Sequence, residues 1–367
     1  MAAQESASAA KTAIAPYDLW SKLPGDLLAV IYGKIGSPLD RVRFGAVSRS
    51  WCAVTSWQPA APTFPWLILG SYQDGTAERV YCPVEGALIR IPLSSVAIGK
   101  RLVGFHDGGW IAATSAVNGN NSLVIVNIFS GIEVSTSAKQ GTTPTIFKVV
   151  FSEAPTSNRC ILAAIIPRAL AVCRVGCRKS ECEWWRSNEY AYGFQDIALC
   201  DGKLYGLNLD TIYIFHIQMT EKGSPVITTT YEVDVKIVLN LAREEFRFGY
   251  IVSHDNKLFV ALRARWSLES EHFFKVFEVV NINNAPNEYK CVQVITLGNH
   301  ALFLGATCST VVHLPAGRRG AVEENHIYYN YIGLPGVRDS ICECDDPPLA
   351  RCDNGDNLYG RKKSKVQ

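Results

Sequence analysis

Twelve cysteines are the residues of this 367-residue chain best suited to metal or redox chemistry. Cys173, Cys177 and Cys182 lie close together, as do Cys342, Cys344 and Cys352. A structural zinc site needs two short Cys/His pairs at a defined separation, so that four ligands can surround one tetrahedral ion. Neither cluster supplies that pattern, and the two are far apart in sequence. No metal site is therefore expected, and the thiols read as small, free, apolar side chains. His106-Asp107 and His254-Asp255 each set an imidazole beside a carboxylate. Adjacency along the chain does not build a catalytic triad, and both pairs sit beside turn residues. The Gly-x-Ser-x-Gly elbow, the Gly-x-x-x-x-Gly-Lys-Ser/Thr phosphate loop and the His-Glu-x-x-His zinc helix are all missing. The expectation is a non-enzyme with no catalytic residues and no cofactor. Trp184-Trp185 is a weaker candidate for target binding, because aromatic side chains anchor interfaces. One of the two is expected to fill space between sheets instead.

The elements that would position such residues fall into two groups. From about Tyr17 to Trp57 the pattern is helical. Pro24 suits a first helical position, and Asp26 in the first turn favours the positive end of the helix dipole. Leu27, Leu28, Ile31 and Ile35 recur at helical spacing, which predicts one apolar stripe. Gly33 and Gly36 close that helix. Ser37 is placed to cap a second helix, with Pro38 at its first position and Asp40 in its first turn. Its buried side is predicted to be Leu39, Val42, Ala46 and Val47. Ser48 is placed to cap a third, running through Trp51 and Val54. Helices this short are marginal alone, and a unit below about 40 residues usually needs a partner, a metal or disulfides. The segment has no metal or disulfide pattern, so a partner is the expected solution.

Beyond a Pro-rich linker, residues 58–63, the pattern changes to strands. Short apolar runs alternate with turn residues at roughly ten-residue spacing. Two hairpins are legible: Lys203–Asn208 into Ile212–Ile217, and Lys257–Leu262 answered by Phe274–Val279. Each begins after a turn pair, Asp201-Gly202 or Asp255-Asn256. A turn followed by Leu-Tyr or Leu-Phe recurs around Leu204, Leu258 and Leu302, at intervals near the ~40–50 residues of one propeller blade. Strands such as Ile212–Ile217 are apolar on both faces, which implies sheets packed between sheets. The expected fold class is a multidomain α+β chain. A small all-α module precedes a large all-β domain, a β-propeller of about six or seven blades. A pair of β-sandwiches is the rival architecture. The expected divisions are a disordered leader 1–16, a helical module 17–57, the linker, a β domain 64–338, and an irregular Cys/Pro-rich and basic tail 339–367.

Leu23-Pro24-x-Asp26-Leu27-Leu28, Ile31, Asp40-Arg41-Val42-Arg43-Phe44 and Val47-Ser48-Arg49-Ser50-Trp51 together resemble an F-box in order and spacing. Cys52 stands where that family often has a basic residue. Downstream, several segments resemble the DUF295-type domain found beside F-boxes in a large family of plant proteins. They are Phe64-Pro65-Trp66-Leu67, Gly104-Phe105 with Gly109-Trp110, Gly202-Lys203-Leu204-Tyr205, Leu297–Gly305, Cys308-Ser309 and Asn325-His326-Ile327-Tyr328-Tyr329. The resemblance implies the substrate-recognition subunit of an SCF-type E3 ubiquitin ligase. Its helical module would dock on the adaptor subunit, and through it join a cullin and a RING subunit. The β domain would hold an unidentified target protein. The implied adaptor-binding residues are Leu23, Pro24, Asp26, Leu27, Leu28, Ile31, Ile35, Val47, Ser48 and Trp51. The alternative is a stand-alone β-propeller enzyme or ligand-binding module whose helices are only structural.

Net charge bounds the remaining partners. A balance of +2 gives no electrostatic footprint for nucleic acid or an anionic membrane. The basic run Arg361–Lys365 reads as a solvated tail. The longest apolar run, Cys160–Ile166, is of strand length, far below the ~20 residues that span a bilayer. The first residues carry no apolar signal core. The expectation is a protein of the cytoplasm or nucleus, with reduced cysteines.

Overall fold

The computed structural model describes residues 20, 22–35, 37–58, 65–71, 76–82, 87–117, 120–134, 143–176, 184–188, 190, 193–208, 211–221, 223–234, 245–265, 273–282, 288–314, 322–330 and 349–353. The leader, most of the linker, the basic run 361–365, and Cys177, Cys182, Cys342 and Cys344 lie outside these residues. The chain divides into two units, Met1–Phe64 and Pro65–Gln367.

The first unit contains, among the described residues, three short helices: α1 (Gly25–Lys34), α2 (Pro38–Ala46) and α3 (Arg49–Trp57). Pro24 stands just before α1 rather than inside it. The Ser37 hydroxyl accepts a hydrogen bond from the Asp40 amide at 3.4 Å, and the Ser48 hydroxyl accepts one from Trp51 at 3.3 Å. Each satisfies one N–H group that the first helical turn leaves unpaired. Leu28, Ala29, Tyr32, Phe44 and Val54 form the core. The Phe44 ring lies 5.3 Å from Tyr32 and 4.5 Å from Trp51. This corrects the expected interior of the second helix. Val42, Ala46 and Val47 are exposed, and Phe44 is buried in their place. Phe44 is the bulkiest apolar group on α2 and gains most from the space between Tyr32 and Trp51. Turning it inward sends Val42 to nearly the opposite side of a helix with ~3.6 residues per turn.

The second unit is built of sheets whose strand pairs are antiparallel except for one in the last sheet. The first has three strands, β1 (Leu67–Ser71), β2 (Ala77–Cys82) and β3 (Ala87–Pro92). Four strands follow in the next: β4 (Arg101–His106), β5 (Trp110–Val117), β6 (Asn120–Asn127) and β7 (Glu133–Val134). The third comprises β8 (Lys148–Phe151), β9 (Ile161–Ile166), β10 (Ala169–Arg174) and β11 (Trp185–Arg186). The fourth holds β12 (Asp196–Cys200), β13 (Lys203–Asn208), β14 (Thr211–Met219) and β15 (Pro225–Asp234). The fifth holds β16 (Glu245–His254), β17 (Lys257–Arg265), β18 (Phe273–Asn281) and β19 (Tyr289–Gln293). The last contains β20 (His300–Leu304), β21 (Thr310–His313), β22 (His326–Asn330) and β23 (Leu349–Asp353). Its spatial order is β21-β20-β22-β23, and β20 runs parallel to β22.

Five sheets are thus four-stranded blades among the described residues, not the six or seven expected. Dividing the chain by one blade length counted the segment 65–92 as a whole unit, but it makes only three strands. Strand β23 falls in the stretch expected to be an irregular tail. Both expected hairpins are present. Asn208 pairs with Thr211 across β13 and β14, and Leu258 pairs with Val279 across β17 and β18. The turn pairs ahead of them have the positive φ angles that tight hairpins need, 48° and 69° at Asp201-Gly202 and 48° and 58° at Asp255-Asn256.

Neighbouring blades meet through β4, β8, β12, β16 and β21, so these strands line the inside of the array. Each junction encloses its own apolar core. Val103, Ile125, Leu162 and Ala171 fill the first, and Leu170, Ile197, Leu204 and Phe215 the second. Leu207, Ile212, Ile251 and Val260 fill the third, and Val252, Val276, Leu302 and Ile327 the fourth. A chain of polar side chains also ties the inner strands together. Arg101 of β4 donates to the carbonyls of Ile146 and Phe147, just ahead of β8. Lys148 of β8 donates to Asp196 of β12. Asp196 accepts from its neighbour Ile197 at 2.7 Å and from Ile251 of β16 at 3.0 Å. Gln195 accepts from the Gly249 amide at 3.1 Å.

Close packing leaves no room at Gly206, where an added Cβ would lie 2.7 Å from the Phe194 ring and 3.3 Å from Leu170. Gly206→Ala is expected to destabilise the protein by about 1–3 kcal/mol, the usual effect of overpacking. Urea unfolding of the variant checks this. Burial also sets thiol reactivity, since it pushes the Cys160 thiol up to about 11 and the Cys173 thiol up as well. The thiolate is the reactive form. Iodoacetamide at pH 7.5 with peptide mapping is expected to label exposed Cys52 in the native protein, and Cys160 and Cys173 only after unfolding.

Candidate functional site

The α1 helix carries two apolar stripes rather than the single one expected. Leu28, Ala29 and Tyr32 point into the three-helix core, with Ile35 and Leu23 packed partly against it. Leu27, Val30 and Ile31 stand on the other side and are 52%, 56% and 37% exposed. They sit at i, i+3 and i+4, so they form one continuous outward ridge. Val42, Val47 and Trp57 add further exposed apolar surface to the same unit, and Trp20 lies exposed ahead of α1.

The ten residues expected to contact an adaptor therefore separate by role. Leu28 is fully buried, so it builds the module and is not available to a partner. Leu23, Ile35 and Trp51 are half-buried, and the Trp51 indole donates to the Trp20 carbonyl at 3.2 Å. Ser48 is occupied as a helix cap. Pro24, Asp26, Leu27, Ile31 and Val47 are exposed. Val30, Val42, Trp20 and Trp57 are exposed apolar residues outside that expected set. Val30 was detectable, because it lies three residues from Leu27 and one from Ile31, on a stripe separate from Leu28.

Polar groups hold this ridge in place. The Arg41 side chain donates to the Ile35 carbonyl at 3.0 Å, which pairs an acceptor just past the end of α1. Its guanidinium also lies 6.0 Å from the centre of the Tyr32 ring. Arg43 and Asp40 form an exposed ion pair at 2.9 Å, a type of contact worth about 0–1 kcal/mol.

Elsewhere the chemically suggestive residues are used structurally. Trp184 is buried in the core of the first blade junction, and half-buried Trp185 packs against the core of the second. The pair thus divides between two cores and leaves little of itself for a partner. His106 is bonded through Nδ1 to its neighbour's carbonyl at 3.1 Å. The His254 ring nitrogen Nε2 lies 3.4 Å from Asp255, within a turn. Among the described residues, no group of three or more His, Cys, Asp and Glu is placed to hold a metal ion. No described helix is long and apolar enough to cross a membrane.

Known proteins place the β unit in a family. Similar solved structures include a putative 6-phosphogluconolactonase from Bacteroides uniformis, at 10% identity. That match covers 62% of this chain and 80% of the other, with a TM-score of 0.34. Hsv2 of Kluyveromyces lactis is 11% identical, covering 63% of this chain and 98% of that one, with a TM-score of 0.27. No curated protein matches. Residues 80–359 match the family described as the KIB1-4 beta-propeller, and this chain, whose five four-stranded sheets lie within that span, belongs to it.

Proposed function

We propose that this chain is the non-catalytic specificity subunit of an SCF-type ubiquitin ligase. Its helical unit docks on the adaptor subunit, and its propeller holds the target protein. The observation that carries this reading is the outward ridge Leu27, Val30 and Ile31 on a unit whose own core is already filled by Leu28, Tyr32, Phe44 and Val54. Those residues lie within the segment that resembles an F-box. Supporting it is the propeller, a fold whose loops commonly present protein-binding surfaces on a rigid scaffold.

Such a subunit does no bond-breaking itself. It raises the effective concentration of the target beside the charged conjugating enzyme. Docking energy would come from the ridge, since full burial of a Leu, Ile or Val side chain contributes about 1.5–3 kcal/mol. Co-purification of the full chain with the adaptor, cullin and RING subunits tests the assembly. A stable four-component complex supports the reading, and failure of the adaptor to co-elute at micromolar concentrations counts against it.

A further inference from the structure

We propose that the cross-strand histidines His300 and His313 bind a divalent transition metal of the zinc, nickel and copper group, with solvent completing its coordination. The two are direct partners in the β20–β21 ladder, so their side chains leave the same face of the blade. Their ring centres are 5.1 Å apart, with the planes at 62°. Two imidazoles whose nitrogens each lie about 2.0–2.1 Å from one ion stand at close to this separation.

The tautomer suits a ligand. His300 Nδ1 lies 3.1 Å from the Leu297 carbonyl oxygen. A carbonyl only accepts, so Nδ1 donates, and the lone pair of the neutral ring is left on Nε2. Metal-binding histidines are typically oriented by just such a hydrogen bond from the second nitrogen. On the other side, the ring of His254, at the end of β16, packs edge-on against His300 at 5.5 Å and 73°. His254 Nε2 lies 3.4 Å from an Asp255 carboxylate oxygen without a hydrogen bond to it. The edge contact restrains the His300 ring, and because no three such groups among the described residues are placed to hold one ion, the protein supplies two ligands.

Access and selectivity follow. His313 is exposed and His300 half-buried, so a hydrated ion reaches both without opening the fold. Imidazole favours zinc, nickel and copper, with affinity rising toward Cu²⁺. Mg²⁺ and Ca²⁺ prefer oxygen ligands and are not expected to bind. An ion held here would clamp β20 to β21, and because it binds the folded chain it would raise the melting temperature.

The test uses the full chain after removal of bound metal with a chelator. ZnCl2 and NiCl2 are titrated separately by calorimetry, with thermal unfolding as a second readout and MgCl2 as the control. The expected result is one equivalent of Zn²⁺ that raises Tm. His313→Gln, on the exposed strand end, removes one of the two ligands and is expected to lose that equivalent. His254→Phe keeps a ring against His300 and is expected to retain the equivalent. Zinc binding unchanged by His313→Gln overturns the proposal. So does a loss with His254→Phe as large as with His313→Gln, which would make His254 a ligand.

Discussion

Replacing Lys148 by alanine is expected to lower the stability of the propeller by about 3–5 kcal/mol, the usual cost of stranding a buried charge. Lys148 and Asp196 are 3% and 2% exposed and are bonded to each other. Asp196 also receives the amides of Ile197 and Ile251, so one carboxylate joins β8, β12 and β16. Burial pushes the Asp196 carboxyl up, against the opposing pull of Lys148 and the two amides. Without Lys148 it rises further, so the folded variant binds a proton more tightly than the unfolded chain. Stability of the variant should therefore recover as pH falls, and decline as pH rises through the folded value. Replacing both partners, Lys148→Met with Asp196→Asn, is expected to restore much of the loss, because no buried charge then remains. Urea unfolding followed by tryptophan fluorescence at several pH values checks all three. A deficit below about 1 kcal/mol for Lys148→Ala would place the pair among surface-like contacts.

The strand segments were legible because their signals are local. The turns at Asp201-Gly202 and Asp255-Asn256 take positive φ, and each tight turn sets the register of the strands it joins. Blade number was not legible in the same way. It depends on which strands share a sheet, and the last blade takes β21 to its inner edge before returning to β22 on the far side of β20. No residue pattern in Leu302, Val311 or Ile327 announces that exchange. Nor does sequence reveal the polar chain from Arg101 to Gln195, because its side chains belong to three blades, reach backbone amides of a fourth, and meet only on folding.

The exposed ridge of α1 was half legible. Helical spacing found Leu27, Leu28 and Ile31, but periodicity alone groups all apolar residues of α1 into one stripe. Core competition separates them. Leu28 and Tyr32 go inward because Phe44 and Val54 meet them there, and that turn of the helix carries Leu27, Val30 and Ile31 outward. The same logic explains why Val42 emerges on the surface once Phe44 takes the interior of α2, whereas exposed Val47 follows the last residue of that helix.

The second large effect follows from this division. Leu28→Ala empties a fully buried site and is expected to destabilise the helical unit by about 2–5 kcal/mol, so it reports on folding rather than docking. Leu27→Ala, Val30→Ala and Ile31→Ala together remove exposed side chains, and alanine raises helix propensity at Val30 and Ile31. The triple variant is expected to fold as well as the parent. If each side chain contributes even about 1 kcal/mol at the interface, affinity falls by about 100-fold or more. The most direct measurement is the equilibrium affinity of the full chain for the adaptor subunit, parent against triple variant, with helical content followed by circular dichroism. A loss of about 100-fold with helical content intact is the predicted result. Affinity unchanged within about threefold would contradict the assignment of this ridge as the docking face.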